Sequence, residues 1–136
     1  MPAIPTANPE FDRGTYLTCF RLVLERCDPN VRHERFGQTA QHEVAAMGGH
    51  VTSEEVMKFA KVLLDSGARP DIRDDLLKST PLGWACRWGR AELVRLLLER
   101  GADPVEAGAE PWATPQAWAE KMGRESVLAV LREHRQ

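Results

Sequence analysis

Three cysteines and four histidines are the side chains of this 136-residue chain that could serve as nucleophiles, general bases or metal ligands. They are Cys19, Cys27, Cys86, His33, His42, His50 and His134. The cysteines lack the spacing of a metal site, and an odd number of them cannot all form disulfides. No H-E-x-x-H, P-loop or G-x-S-x-G motif occurs. The sequence therefore predicts no catalytic site, no cofactor and no metal, and thiols that stay reduced in the cytoplasm.

Two short clusters of charged residues could support other chemistry. Asp74 and Asp75 are adjacent carboxylates of the kind that bind metal ions, but paired acids in a loop are most often solvated. Arg87 and Arg90 lie on either side of Trp88, as in a nucleic-acid-binding surface, but no basic stripe extends this group. We expect neither a metal nor a nucleic acid to bind at these clusters.

The composition is typical of a folded, water-soluble protein, with 28 % charged and 43 % hydrophobic residues. Lysine and arginine number 18 against 20 acids, and a net charge of −2 gives no broad positive surface for nucleic acids or membranes. No apolar run approaches the roughly 20 residues that span a bilayer. Residues 1–14 also lack the apolar segment of a signal peptide. We expect one cytoplasmic domain with no membrane partner.

A repeated sequence pattern runs through most of the chain. Three threonines mark its copies, Thr39, Thr80 and Thr114, and each is followed nine residues later by a glycine. A second landmark, LLDSGARPD at Gly67 and LLERGADPV at Gly101, recurs after 34 residues. Self-similarity at such a period predicts short supersecondary units that bury their apolar faces by stacking.

The stretch from Ser79 to Pro104, STPLGWACRWGRAELVRLLLERGADP, closely resembles the ankyrin repeat. It keeps the T-P-L start, the paired small residues Ala85 and Cys86, Gly89, the LLL run and the G-A-D end. The resemblance implies an all-α ankyrin-repeat solenoid of stacked helix–turn–helix units, with loops that project as fingers. The expected single domain spans residues 1–136, with a degenerate N-terminal cap, two central units and a C-terminal cap at approximately 6–33, 34–73, 74–108 and 109–136.

Capping residues place the helices within the third unit. Thr80 followed by Pro81 predicts the N-cap and the first residue of a short helix. This helix should end near Trp88, because Gly89 supplies a left-handed turn. A second helix is predicted over residues 91–100. Its apolar stripe comprises Leu93, Val94, Leu97 and Leu98.

The second unit carries seven more residues than the third between its threonine and its glycine. The additional residues fall at GGHVTSEEVM, between the two helices of the unit. Thr52 followed by Glu55 predicts a capping box. We therefore expect a second helix over about residues 53–66, roughly two turns longer than its neighbours.

One departure from the family pattern concerns the histidine of the T-P-L-H motif, which in ankyrin repeats ties neighbouring units together by hydrogen bonds. His42 keeps it, whereas Gly83 and Ala117 stand in its place in the next two units. Trp84 and Trp118 follow these positions directly. We expect stacking of these tryptophans to replace part of the lost rigidity.

Apolar and cationic residues at water-facing positions are the candidates for partner binding. The resemblance implies that partners contact the finger loops and the exposed concave face of the first helices. The corresponding positions are Phe36, Met47, Leu76, Leu77, Arg87, Trp88, Trp112, Lys121 and Met122. Four of them are predicted to form one contiguous partner-facing patch: Leu77, Arg87, Trp88 and Trp112. The alternative is that the finger residues fold back onto neighbouring fingers as hydrophobic staples.

The function predicted from these features is that of a protein–protein interaction module or adaptor without catalytic activity, present as a monomer or weak homodimer. One alternative is a regulatory or inhibitory subunit that occludes or positions a partner enzyme. Another is a homodimer whose apolar fingers pack together. A small enzyme is disfavoured, because Cys86 replaces a small core residue of the repeat and should be buried.

Overall fold

The computed structural model of the chain describes residues 28–47 and 52–135. These ranges contain six α-helices and one short 3-10 helix, and they contain no strand. The α-helices are α1 (Ala40–Ala45), α2 (Ser53–Asp65), α3 (Pro81–Arg87), α4 (Ala91–Glu99), α5 (Pro115–Lys121) and α6 (Glu125–Arg135); the 3-10 helix is Pro111–Ala113. The predicted all-α fold is confirmed.

The helices form the two layers of a stacked array. Each unit pairs a first helix with a second one, α1 with α2, α3 with α4, and α5 with α6. The first helices contact one another in the order α1, α3, α5, and the second helices in the order α2, α4, α6. This is the predicted solenoid. The division into four units stays a prediction, and the unit at 6–33, with Cys19 and Cys27, lies mostly outside the described residues.

The first helix of the third unit, α3, begins and ends where the sequence predicts. The Thr80 hydroxyl oxygen accepts the Gly83 N–H at 3.3 Å, and Pro81 occupies the first turn of α3. Gly89 follows the helix with a φ of 74°, a left-handed conformation that glycine adopts without steric cost. The same threonine–proline pair starts α5. Local sequence therefore fixes both ends of the first helix in this unit.

The elongated second helix of the second unit spans Ser53–Asp65, within one residue of the predicted range. Thr52 accepts the Glu55 N–H at 3.1 Å, and the Glu55 carboxylate accepts the Thr52 N–H at 3.2 Å, which confirms the capping box. Helix α2 has 13 residues against 9 in α4, an excess of about one turn. The predicted helix range is therefore confirmed, whereas the excess over α4 is about one turn rather than two.

The apolar core lies between the two layers of helices. All four predicted stripe residues of α4 are buried, and Leu96 is buried with them. Leu97 is fully buried, at 0 % exposure. Helix α4 contacts α2, α3 and α6, so its apolar surface is covered by both neighbouring units. Burial between units is the main stabilising interaction of such an array, since no unit can cover its own apolar face.

Candidate partner-binding face

The loop between α2 and α3 is built around a buried carboxylate. Asp74 Oδ1 accepts the Ser79 N–H at 3.0 Å and the Trp84 indole N–H at 2.9 Å. Its Oδ2 accepts the Leu77 N–H at 2.6 Å. The expectation that both adjacent acids are solvated is therefore wrong for Asp74, because three donors satisfy its carboxylate inside the protein. Asp75 is exposed, as predicted, and pairs with an arginine of the preceding loop.

The retained histidine joins the second unit to the third, as the resemblance implies. His42 is fully buried, and its Nδ1 accepts the Thr39 N–H at 2.9 Å. Its Nε2 lies 2.9 Å from the Ser79 carbonyl oxygen and therefore carries the proton in this pairing. Burial lowers the pKa of His42 below its ordinary value, although the Ser79 carbonyl and Asp74 oppose this shift.

This lowered pKa gives a testable pH dependence. Because the folded state keeps His42 neutral while the unfolded state takes up a proton, the stabilisation should be lost as pH falls below about 6.5. His42→Gln retains a donor for Ser79 but does not titrate. We expect it to cost about 1–2 kcal/mol at neutral pH. The cost relative to the wild type should shrink towards lower pH, which urea unfolding at several pH values measures.

Comparing wild type with His42→Gln also cancels the pH dependence of stability that Glu106 contributes, which has the opposite sign to that of His42. Burial raises the pKa of Glu106, so the stability that this group contributes falls as pH rises above its ordinary carboxyl range. Glu106 is present in both proteins and cancels in their difference. An equal pH dependence of unfolding in wild type and His42→Gln would show that folding does not lower the pKa of His42.

Other side chains link the units that lack this histidine. A Cβ atom on Gly83 would lie 2.9 Å from the Ser79 Cβ, so the close approach of this loop to α3 requires glycine. The Trp118 indole N–H donates to the Ser79 hydroxyl at 2.8 Å, across two units. The Thr80 hydroxyl donates to Glu106 Oε2 at 2.6 Å, from the third unit to the loop that follows it. The link that Trp118 provides is therefore a hydrogen bond; in the described residues Trp84 stacks on Trp88 and Trp118 meets Trp112, so the two tryptophans do not stack on each other as predicted.

Six side chains form a continuous series of ring and cation contacts across α3, the 3-10 helix and α5. We call this series the aromatic–cation ladder; it comprises Trp84, Trp88, Arg87, Trp118, Lys121 and Trp112. The rings of Trp84 and Trp88 stack with centroids 5.2 Å apart. The Arg87 guanidinium lies 4.9 Å from the Trp88 centroid and 5.0 Å from that of Trp118. These contacts connect two successive first helices.

The far end of the ladder reaches the loop before α5. Trp112 meets Trp118 edge-to-face, with centroids 6.1 Å apart. The Lys121 ammonium lies 5.5 Å from the centroid of the same Trp118 ring. Trp118 is buried beneath these contacts, whereas Trp112 keeps 49 % of its surface exposed. The ladder therefore contains a buried ring, that of Trp118, and ends in an exposed ring, that of Trp112.

The structure places the nine candidate residues in three settings. Four belong to the ladder: Arg87, Trp88, Trp112 and Lys121. Met47 and Leu77 are half-buried and pack against the core, and Phe36 is half-buried with the Arg35 guanidinium 5.4 Å from its ring centroid. Leu76 and Met122 are exposed. Trp84 and Trp118 were absent from the predicted site, although their place beside the missing histidines singles them out in the sequence.

Among the described residues, the side chains with possible catalytic or metal-binding chemistry are the Cys86 thiol and the histidines and acids. Cys86 is fully buried, as predicted, and burial raises the pKa of its thiol far above the ordinary range. A thiol that stays protonated is a poor nucleophile. Residues 28–47 and 52–135 contain no group of three or more His, Cys, Asp or Glu side chains that could hold a metal ion. In the same ranges, every helix is too short or too polar to cross a membrane.

Stacked helix–turn–helix units that share an interior define a helical-repeat protein. The sequence matches the family model for ankyrin repeats, in three copies, over residues 11–107. The chain therefore belongs to the ankyrin-repeat family. A comparison with curated proteins gives no match. The repeats indicate a protein–protein interaction module, and the family is generally non-catalytic.

Proposed function

We propose that this chain is an adaptor that binds a partner protein through the concave face of its first helices and the adjoining finger loops, without catalysis of its own. The observation that carries the proposal is the aromatic–cation ladder. Its buried rings hold the partly buried Trp88 and the 49 % exposed Trp112 in fixed positions. Exposed apolar side chains grouped on one face are a common mark of an interaction site.

Fixed aromatic side chains are suited to this function for an energetic reason. A tryptophan that is already held by its neighbours loses little conformational freedom when a partner covers it. Trp112 and Trp88 are held by ring contacts, and Arg87 is held between two rings. Tryptophan and arginine are also the residue types most often found as binding hot spots. The ladder thus supports high affinity on a small surface.

Trp112→Ala and Trp88→Ala should each weaken the complex with the partner by ~2 kcal/mol or more, which corresponds to about 30-fold in Kd. The partner is first identified by affinity capture from the native host and mass spectrometry. The Kd of the purified complex is then measured by isothermal titration calorimetry. Thermal unfolding of Trp112→Ala should stay within a few degrees of the wild type, because half of this side chain is already exposed.

Val31→Ala provides the matched control, because Val31 is an exposed apolar residue, at 63 %, outside the ladder. It should leave the Kd unchanged. Equal Kd values for wild type and both tryptophan variants would contradict the proposed face. If the captured partner is a second copy of this chain, light scattering after size exclusion would establish the homodimer instead. The cytoplasmic location and the lack of nucleic-acid and membrane partners stay predictions.

A further inference from the structure

The cations of the ladder have no acidic partners in the part of the chain that the structure describes. Neither Arg87 nor Lys121 forms an ion pair there, whereas Arg95 and Arg100 on α4 and its C-terminal turn pair with carboxylates at 3.3 and 3.0 Å. The buried Arg87 Nε also has no hydrogen-bond partner. Arg124, which also forms no ion pair within the described residues, donates its Nε–H to the Arg87 carbonyl at 3.1 Å.

The aromatic rings position these charges but do not neutralise them. A cation over an indole face is attracted by the electron-rich ring, yet it keeps its full positive charge for other groups. Arg87 and Lys121 both lie against Trp118, so two positive charges are held near one ring. The cost of holding like charges together falls when an anion binds between or beside them.

The acidic residues on the first helices do not form ion pairs with Arg87 or Lys121 in the described part of the chain. Glu120 on α5 accepts a hydrogen bond from Gln116 at 2.8 Å. Glu43 on α1 occupies the position that Trp84 holds on α3, so it lies one unit away from the cations. The exposed Trp112 borders the positive region on its other side. A ligand for α3 and α5 should therefore combine negative charge with an apolar residue.

We propose that the aromatic–cation ladder binds an acidic peptide segment of the partner protein, whose carboxylates pair with Arg87 and Lys121 while an apolar residue beside them packs on Trp112. This inference rests on the proposed function and adds the chemistry of the partner. A peptide fits better than a nucleic acid, because the chain has a net charge of −2 and the cations cluster at one place. Electrostatic complementarity of this kind sets specificity and speeds association.

A phage-displayed library of random dodecapeptides, selected on the full-length chain, tests the proposal without knowledge of the partner. We expect the enriched peptides to be acidic and to contain an apolar residue near the acids. Synthetic copies with a fluorescein label then give Kd values by fluorescence polarisation. Arg87→Gln should raise the Kd about tenfold. Lys121→Gln, at an exposed position, should raise it about threefold. Higher ionic strength should weaken binding.

Matched controls carry the same substitutions outside the ladder. Lys61→Gln on the exposed side of α2 and Arg95→Gln on α4 should leave the Kd unchanged. Replacing the acids of the peptide by their amides should reproduce the loss seen with the ladder variants. If Arg87→Gln alters the circular dichroism spectrum, the exposed Lys121 variant decides the result alone.

Enrichment of neutral or basic peptides, no enrichment at all, or equal Kd values for ladder and control variants would overturn the acidic assignment. A labelled single-stranded oligonucleotide that binds as tightly as the acidic peptide would overturn it in favour of a nucleic acid. Neutral peptides that lose affinity with Trp112→Ala would leave the proposed binding face in place. The two proposals can therefore fail separately.

Discussion

Replacing Leu97 by alanine is expected to lower the free energy of unfolding by about 2–5 kcal/mol. Leu97 has 0 % exposure, and its helix α4 contacts both α2 and α6. The substitution removes apolar surface and leaves a cavity that the surrounding helices fill only in part. In an array held together by contacts between neighbours, a cavity in the central unit weakens both interfaces at once. Urea unfolding followed by circular dichroism measures the loss.

Leu76→Ala is the matched control, because it makes the same chemical change at a residue that is 56 % exposed. It should change the free energy of unfolding by less than about 0.5 kcal/mol. A loss below about 1 kcal/mol for Leu97→Ala would contradict a core position. A lower slope of the unfolding transition would show that the units no longer unfold together.

Features of the fold that depend on neighbouring residues in the sequence could be predicted well. The cap at Thr80, the turn at Gly89 and the capping box at Thr52 involve residues a few positions apart, and each is present. The apolar stripe of α4 follows from helical periodicity alone. The range predicted for α2 is correct to within one residue, because the capping box at Thr52 marks its start locally; only its excess over α4 was overestimated.

The contacts that shape the candidate site depend on residues far apart in the sequence. Nothing near Glu106 in the sequence indicates that it accepts a hydrogen bond from Thr80, 26 residues earlier in the chain. The repeat register placed Arg87 and Trp112 at accessible positions. It could not show that Trp118 lies between them, because that contact depends on how the units stack. Stacking geometry is a tertiary property that local patterns do not encode.

Asp74→Ala should lower the free energy of unfolding by about 3–5 kcal/mol, since it leaves three donors, two of them buried, without an acceptor. Two of them are the backbone N–H groups of Leu77 and Ser79, and the third is the Trp84 indole N–H. Asp74→Asn should cost less, because one acceptor oxygen is kept, although the amide group then faces a donor. Chemical denaturation of the three proteins gives the order of stability.

Asp75→Ala is the matched control for Asp74→Ala, because the two acids are adjacent in the sequence but only Asp74 is buried. Asp75 pairs with Arg32 at 2.8 Å, but its side chain is exposed, so Asp75→Ala should cost less than about 1 kcal/mol. Equal losses for the two alanine variants would mean that Asp74 is solvated like its neighbour. A large loss for Asp74 alone would establish that its carboxylate holds the loop before α3 and the Trp84 indole together. Because Trp84 stacks on Trp88, Asp74→Ala should also weaken partner binding, whereas Asp75→Ala should not.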